Sequence, residues 1–338
     1  MNSGIRFPVT AVGASRTGHP PRTYSWYAGV QRQLPWKFAL DAAYVGNRGT
    51  NYAYVRNINQ LPLGYTIANP PPNNTADAIR PYRGYTAVNI IEFGAESEYH
   101  SLQTRLTRRF SERFTANVSY TLAKALDHVD TDTNAIGYYL DLDREWGPSG
   151  FDRRHQVTID YVYHLPDAGT KWLNNAAGRG VLDGWQIAGI SRFWSGQPLT
   201  ITSNGNPGTT GGGVRADYVG GEIYPAEQTR LQWFNPLAFG RPADGTLGST
   251  PKGFLRGPGI NQWDISLFKN TRVGDRVTVQ FRLETFNTFN HEQFNGINTG
   301  LSVPNAGQAV TEATRGTLGQ VNSFRDPRQI QAGLKVYF

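Results

Sequence analysis

The feature that most constrains this chain is a two-residue rhythm. In six segments apolar and polar residues alternate strictly. Successive side chains of a strand point to opposite faces, so each segment reads as a ribbon with one apolar and one polar side. Over 36–45 the apolar set is Trp36, Phe38, Leu40, Ala42 and Tyr44, with Lys37 and Asp41 opposite. Over 113–123 it is Phe114, Ala116, Val118, Tyr120 and Leu122, against Arg113 and a row of Thr, Asn and Ser. Over 156–165 it is Val157, Ile159, Tyr161, Tyr163 and Leu165, against Asp160 and its polar neighbours. Trp263, Ile265 and Leu267 face away from Asp264; Val277, Val279, Phe281 and Leu283 face away from Arg282 and Glu284. The last set, Ile330, Ala332, Leu334, Val336 and Phe338, faces away from Lys335. One side excludes charge and the other collects it. Lipid enforces such a split, because a Lys or Arg turned towards it costs about 2–4 kcal/mol at the bilayer midplane. A sandwich core enforces it as well, so alternation alone establishes strands without choosing what covers them.

Composition narrows the class. Hydrophobic residues make up 38 %, and no apolar run reaches the roughly 20 residues that a membrane helix needs. Aromatics at 12 % argue against a disordered chain, and 38 Gly with 20 Pro imply many turns. The absence of cysteine excludes disulfides and thiolate metal sites. A net charge of +7 is compatible with anionic partners such as lipopolysaccharide or nucleic acid. No run of five or more Lys/Arg occurs, so the basic residues read as spread over solvated loops, and no nucleic-acid partner is expected. Residues 1–20 show no basic n-region followed by an apolar h-region. For an exported protein, the expectation is then that Met1 is not the biological start.

Less regular strands are expected at 23–34 (Tyr24, Trp26, Ala28, Val30, Leu34), 99–110 (Leu102, Leu106, Phe110) and 185–195. With strands at 22–34, 36–46, 98–110, 113–125, 155–165, 185–196, 261–270, 277–290 and 327–338, short and long connections alternate, 166–184 being only loosely short. The longest cover 47–97 and 197–260. Loops of that length are anomalous inside a compact soluble domain. Outer-membrane barrels instead join strands by tight turns at one end and long loops at the other. A ten-residue strand rises about 34 Å, and at a tilt of about 40° it spans about 26 Å, the height of the apolar band in such barrels. Trp26, Trp36, Tyr44, Tyr163, Trp185 and Trp263 lie near segment ends, as interfacial girdles require.

The expected fold is therefore all-β: an antiparallel, up-and-down transmembrane β-barrel, partial, with about nine strands of a larger barrel, long extracellular loops and short periplasmic turns. Residues 1–21 are expected to be a loop or linker and 22–338 the strands and loops of the barrel. Expected lipid-facing residues are Trp36, Phe38, Leu40, Tyr44, Phe114, Val118, Tyr120, Leu122, Val157, Ile159, Tyr161, Tyr163, Ile265, Leu267, Val279 and Phe281. Expected lumen-facing residues are Lys37, Asp41, Arg113, Asp160, Asp264, Arg282, Glu284 and Lys335. The terminal pattern Ile330, Ala332, Leu334, Val336, Phe338 has the form that barrel-assembly machinery reads. Expected partners are that machinery, outer-membrane lipid and lipopolysaccharide, and the expected location is the bacterial outer membrane.

Catalytic patterns are missing: GxSxG, Walker, GxGxxG and HExxH do not occur, and His291-Glu292 lacks a second histidine. Asp127, Asp130, Asp132, Asp141, Asp143 and Glu145 offer oxygens to Ca²⁺ but lack the glycine-centred spacing of an EF-hand. A solvated extracellular loop is the simpler reading. GNPGTTGGG (205–213) has no lysine where a phosphate loop needs one and reads as a flexible loop tip. FNTFNHEQFNGIN (286–298) fits stacking on sugars or bases, or plain packing of strand against loop. Arg282 and Glu284, two apart on one face, are candidates for a charge network on the wall. No enzymatic activity, cofactor or metal is expected.

Six stretches carry a resemblance: WYAGVQRQLPWKFALDAAYVGNRGTN (26–51), FDRRHQVTIDYVYHLP (151–166), WFNPLAF (233–239), LRGPGINQWDISLFKN (255–270), FRLETFNTFNHEQF (281–294) and DPRQIQAGLKVYF (326–338). In this order they resemble the C-terminal part of TonB-dependent outer-membrane receptors of the Oar-like group, whose full-length members begin with a carboxypeptidase-regulatory-like domain. The resemblance implies a 22-stranded barrel with an N-terminal plug and a TonB-contacting box. This chain matches only the C-terminal barrel portion, so contact with the TonB complex would need the missing N-terminal part. It implies a non-catalytic receptor or transporter whose outer loops bind an iron chelate, an oligosaccharide or a peptide. Two other readings remain at this point: a self-contained small outer-membrane pore or adhesin, and a soluble all-β carbohydrate-binding or hydrolytic domain. The first requires pairing between 24–34 and 329–338; the second requires a layer over Trp36, Phe38, Val157 and Ile159.

Overall fold

The computed structural model describes residues 8–71, 76–111, 113–131, 135–138, 140–169, 175–274 and 276–338. Ten principal strands are present: β1 (Val9–Ala14), β2 (Arg22–Leu34), β3 (Phe38–Asn57), β4 (Tyr85–Ser111), β5 (Phe114–Asp127), β6 (His155–His164), β7 (Trp185–Trp194), β8 (Ile260–Val273), β9 (Val277–Phe286) and β10 (Gln329–Tyr337). From β2 to β10 each strand pairs with the next in the chain, giving one antiparallel meander. In a meander every second connection falls at the same end. The connections after β2, β4 and β8 are tight, that after β6 covers 165–184 and includes the helix Ala176–Leu182, and those after β3, β5, β7 and β9 are longer still. All the long connections therefore leave from one end, as the spacing predicts.

The register is continuous. Phe38 stands opposite Arg108, then Ala116, Tyr161, Gly189, Ile265, Thr285 and Ile330 across the sheet. Cross-strand partners share a face, so the apolar sets of the six segments fall on one side. The exceptions are Trp36, Leu165 and Phe338, which lie just beyond strand ends. Charge on this side is confined to the two ends: Arg32, Arg108 and Lys269 near the tight turns, and Arg22, Arg48, Glu98 and Lys124 near the long loops. Its middle is uncharged. Asp41, Asp160, Asp264, Arg282, Glu284 and Lys335 occupy the opposite side.

Several expectations are corrected. Trp36 and Lys37 are not on a strand wall: Pro35–Lys37 forms a 3₁₀ turn, with φ of 59° at Trp36 and 62° at Lys37. Pro35 fixes its own φ and removes a ladder donor, so pairing stops there. Arg113 likewise sits in the turn that precedes β5. β3 and β4 run well past the expected ends, and the loop read over 47–97 contracts to 58–84. A register shift between Gly49 and Tyr52, with Asn51 at φ 60°, marks where the extension begins. The strand read over 277–290 ends at Phe286, because Asn287 and Asn290 adopt positive φ and break the ladder. Inside 1–21, β1 adds to β4 in parallel, Ala14 opposite Ile91.

The meander is open. β2 and β10 are its two edges, and both are solvent-exposed along nearly their whole length. The required pairing of 24–34 with 329–338 is not made, which removes the small self-closed barrel. No second sheet covers the apolar side among the described residues. Trp36 is 78 % exposed, Phe38, Val157 and Ile159 are half-buried, and none of them belongs to a buried cluster. That removes the soluble sandwich. The main core lies elsewhere: Ile201, Phe234, Phe239, Leu255, Leu301 and Val303 all come from the long connections.

Candidate functional site

The long connections fold into one cap. Phe234 and Phe239 are fully buried and meet edge to face at 5.7 Å. Short ladders tie the connections after β7 and β9 together: Thr202–Ser203 pairs with Val214–Arg215 and, in parallel, with Gly300–Leu301. The connection after β3 docks onto the same body. The Gly64 amide donates to the Pro207 carbonyl (2.9 Å), and the Thr66 amide to that of Gly208 (2.9 Å). Gly208 has φ 66°, and a Cβ there would lie 2.6 Å from Gly64 Cα, so the close approach needs glycine. The segment 205–213 is thus docked in the cap, not a free tip.

Ion pairs bind in the connection after β5. Lys252 reaches Asp127 (2.5 Å) and Asp130 (3.7 Å), Arg215 reaches Glu145 (2.5 Å), and Arg256 reaches the buried Asp152 (2.5 Å). Arg144 donates to the carbonyls of Leu247 (2.5 Å) and Gly248 (2.9 Å). Burial, and then the nearby Arg215 charge, lower the Arg144 pKa from its usual range. Burial acts in the same direction on Arg153, helped by Arg325 and Arg256. Of the acidic residues considered for Ca²⁺, Asp127 and Asp130 therefore share Lys252, and Glu145 binds Arg215. Asp141 accepts from the Arg144 amide at 3.0 Å, and Asp132 lies outside the described residues. No metal-ligand group is formed among the described residues.

Where β3 and β4 rise beyond the wall, Tyr54 packs with Ala95 and Ile136. Its hydroxyl donates to Glu92 (3.0 Å), which also binds Arg56. Burial first, then the Glu92 hydrogen bond, push the Tyr54 pKa up to about 12. The neutral phenol stabilises this extension fully below the ordinary tyrosine range, and that contribution is lost as pH rises towards 12. Subtracting the absorbance titration of Tyr54→Phe from that of the unaltered protein is expected to give one phenol with a midpoint near 12. A midpoint near 10 would show the contact to be absent.

Two clefts result, the first of mixed lining that also includes Ala135 and Ile136, the second mainly polar. One, of about 540 Å³, lies in the cap between Asn57, Gln60, Asn89, Glu145, Arg215 and the glycines 211–213. The other, of about 410 Å³, lies by the polar face of β8 and β9, between Gln262, Asn287, Gln293, Arg325 and Asp326. Both present amides and hydrogen-bonding charges, a lining suited to a polar ligand.

The polar face is cross-linked. Gln31 donates to Asp41 (2.9 Å), Asn117 to Asp160 (2.6 Å) and Arg192 to Asp264 (3.2 Å). Arg282 bonds Gln280 and the Tyr337 hydroxyl and lies 5.4 Å from the Phe268 ring centre. Glu284, the other candidate for a charge network, stands between Ser266 and Gln331. FNTFNHEQFNGIN packs strand to loop: Phe289 meets Trp263 (5.6 Å), and the Asn287 amide donates to Asp264 (3.0 Å).

Over residues 2–331 the chain matches the family model described as outer membrane beta barrel domain. The chain belongs to this family. The barrel domain is accordingly a component of the bacterial outer membrane. No protein of curated function matches it. In fold it is similar to the outer membrane transporter YddB of Escherichia coli, with TM-score 0.53 and 9 % identity over 99 % of this chain and 35 % of that one. It is also similar to Pseudomonas aeruginosa FpvA in a pyoverdine–Fe complex (TM-score 0.43, 10 % identity, 94 % and 27 % covered). A third is the ferric-catecholate import receptor Fiu of E. coli K12 (TM-score 0.41, 11 % identity, 95 % and 28 % covered). The barrel domain thus spans about a third of the length of YddB.

Proposed function

We propose that the barrel domain is the C-terminal wall and loop portion of a TonB-dependent receptor of the Oar-like group, a passive and non-catalytic part of substrate uptake. The observation that carries this reading is the apolar side, with its uncharged middle bounded by charge at both ends. Hydrocarbon demands that distribution, and aqueous solvent does not. The opposite, hydrogen-bonded side lines the lumen. The edges β2 and β10 pair with further strands of a larger barrel, because an unpaired strand edge in lipid costs several kcal/mol for each orphan group. The cap faces outwards and takes up a polar ligand, an iron chelate, oligosaccharide or peptide, in its amide-lined cleft. Passage through the lumen then depends on a plug and a TonB-contacting box supplied by an N-terminal portion. Barrel-assembly machinery reads the alternating pattern Ile330, Ala332, Leu334, Val336 and Phe338.

The chain has no cysteine, so single introduced thiols report sidedness cleanly. A membrane-impermeant maleimide on intact cells is expected to label a Glu227→Cys variant, in the cap. It should label an Arg276→Cys variant, at a tight turn, only after the outer membrane is permeabilised. Both sites are exposed. The reverse pattern, or equal labelling of both on intact cells, would reject the orientation.

A further inference from the structure

Just above the apolar side, at the loop end, a cleft of about 330 Å³ is lined by Lys124, Leu126, Pro148, Arg154 and Arg256. Its position follows from the register. Lys124 continues the row Tyr120, Leu122 on β5 and stands opposite His100, which stands opposite Gly46 and then Trp26. Trp26 in this row, and Tyr44 one step nearer the tight turns, belong to a belt of aromatics. Trp26 and Tyr44 are 40 % and 42 % exposed; Tyr44 is hydrogen-bonded to His100 (2.8 Å), and Tyr120 to His155 (2.9 Å). Tyrosine and tryptophan mark the border between hydrocarbon and headgroups. Lys124 lies about 34 Å along β5 from Phe114, or about 26 Å in height at a tilt of about 40°, the rim of an apolar band about 25 Å tall.

The charge balance there is positive. Neither the Lys124 ammonium nor the Arg154 guanidinium has a hydrogen-bond or ion-pair partner among the described residues. Asp152, also in the lining, is engaged by Arg256 (2.5 Å), whereas Glu98, opposite Leu126, lies 4.0 Å from Arg48, whose closer partner is Glu96 (3.1 Å); the lining itself holds three cations and one carboxylate. Two unpaired cations, a third shared with one carboxylate, and an apolar floor of Leu126 and Pro148 meet at headgroup height. That is the complement of a phosphate carried on an acyl-chain lipid. We infer that this cleft binds the phosphate of an outer-leaflet glycolipid of the lipopolysaccharide type, with Lys124 and Arg154 as its main ligands. The inference rests on the membrane orientation proposed above and adds to it a specific lipid site.

The test is native mass spectrometry on the protein extracted in mild detergent from outer membranes. The probes are bisphosphorylated lipid A, phosphatidylethanolamine and inorganic phosphate. Lipid A adducts are expected on the unaltered protein and at least about tenfold weaker on Lys124→Gln/Arg154→Gln, which loses two charge-assisted contacts. The charge-conserving Lys124→Arg/Arg154→Lys should retain them. So should Arg272→Gln/Arg276→Gln, which removes equal charge near a tight turn. Arg256 is left in place because it neutralises the buried Asp152. Undiminished lipid A binding by the glutamine pair would overturn the site. Inorganic phosphate held as tightly as lipid A would show a free-anion site and overturn it too. Absence of the protein from the outer-membrane fraction would instead overturn the orientation itself, and the site with it.

Discussion

Ile159→Arg is expected to destabilise the folded protein in lipid vesicles or micelles by about 2–4 kcal/mol, the cost of a guanidinium turned to hydrocarbon at mid-depth. Ile159 is near the middle of β6, between Val118 on β5 and Ser191 on β7, in the uncharged part of the apolar side. It is only half-buried by the protein itself, so the penalty must come from what surrounds the sheet. In water an arginine there would simply reach solvent. Thr121→Arg supplies the comparison. Thr121 lies on the opposite side of β5, between the neutral Gln103 and Gln156, and in the proposed orientation a cation there meets an aqueous lumen. Its expected cost is within about 0.5 kcal/mol, as for ordinary surface changes. Urea titration followed by tryptophan fluorescence measures both. Equal losses for the two variants, or none for Ile159→Arg, would remove lipid as the solvent of this side.

The wall was legible in the sequence because one physical demand repeats along it. Each strand must present different chemistry to its two sides, and a period of two in Val157-Thr158-Ile159-Asp160-Tyr161 records that directly. The parity of short and long connections then gave the meander. The cap was not legible. Its core residues Ile201, Phe234, Phe239, Leu255 and Val303 are scattered through Gly- and Pro-punctuated segments without any period. A signal was nonetheless present. WFNPLAF concentrates apolar side chains around an Asn-Pro turn inside a connection that a solvated loop would leave polar. Asn235 indeed caps the 3₁₀ turn Pro236–Ala238, its side chain accepting from the Leu237 amide, and this turns Phe234 and Phe239 towards each other. The extension of β3 through 47–57 was hidden for a different reason. NRGTNYAYVRN has no strict alternation, because past the register shift the strand packs against loop residues such as Ile136 and no longer presents one uniform apolar side. The acidic run over 127–145 was misleading. Its carboxylates point to different cations because the partners Lys252 and Arg215 arrive from a connection far away in sequence.

Phe239→Ala is the substitution expected to separate cap from wall. Phe239 is fully buried, and its ring meets Phe234 at 5.7 Å, Phe254 at 6.1 Å and Tyr218 at 6.1 Å. Truncating a phenylalanine in such a core costs about 3–5 kcal/mol, through lost burial and the cavity left behind. Its carbonyl still accepts from the Val310 amide (2.8 Å), so the backbone tie between the connections after β7 and β9 is not itself removed. The main buried cluster contains no residue of the principal strands β2 to β10. The loss should therefore appear as local opening of the cap, not as unfolding of the sheet. Limited proteolysis on intact cells is expected to cut the variant within 195–259 at least about a hundredfold faster, the population shift that such a loss produces. Heat-modifiable migration of the barrel on gels should stay unchanged. If the sheet melts together with the cap, the two form one cooperative unit. If neither changes, the aromatic cluster contributes nothing to holding the loops. Only the expected split supports an outer body whose rigidity comes from its own core, holding the polar cleft in shape before any ligand arrives.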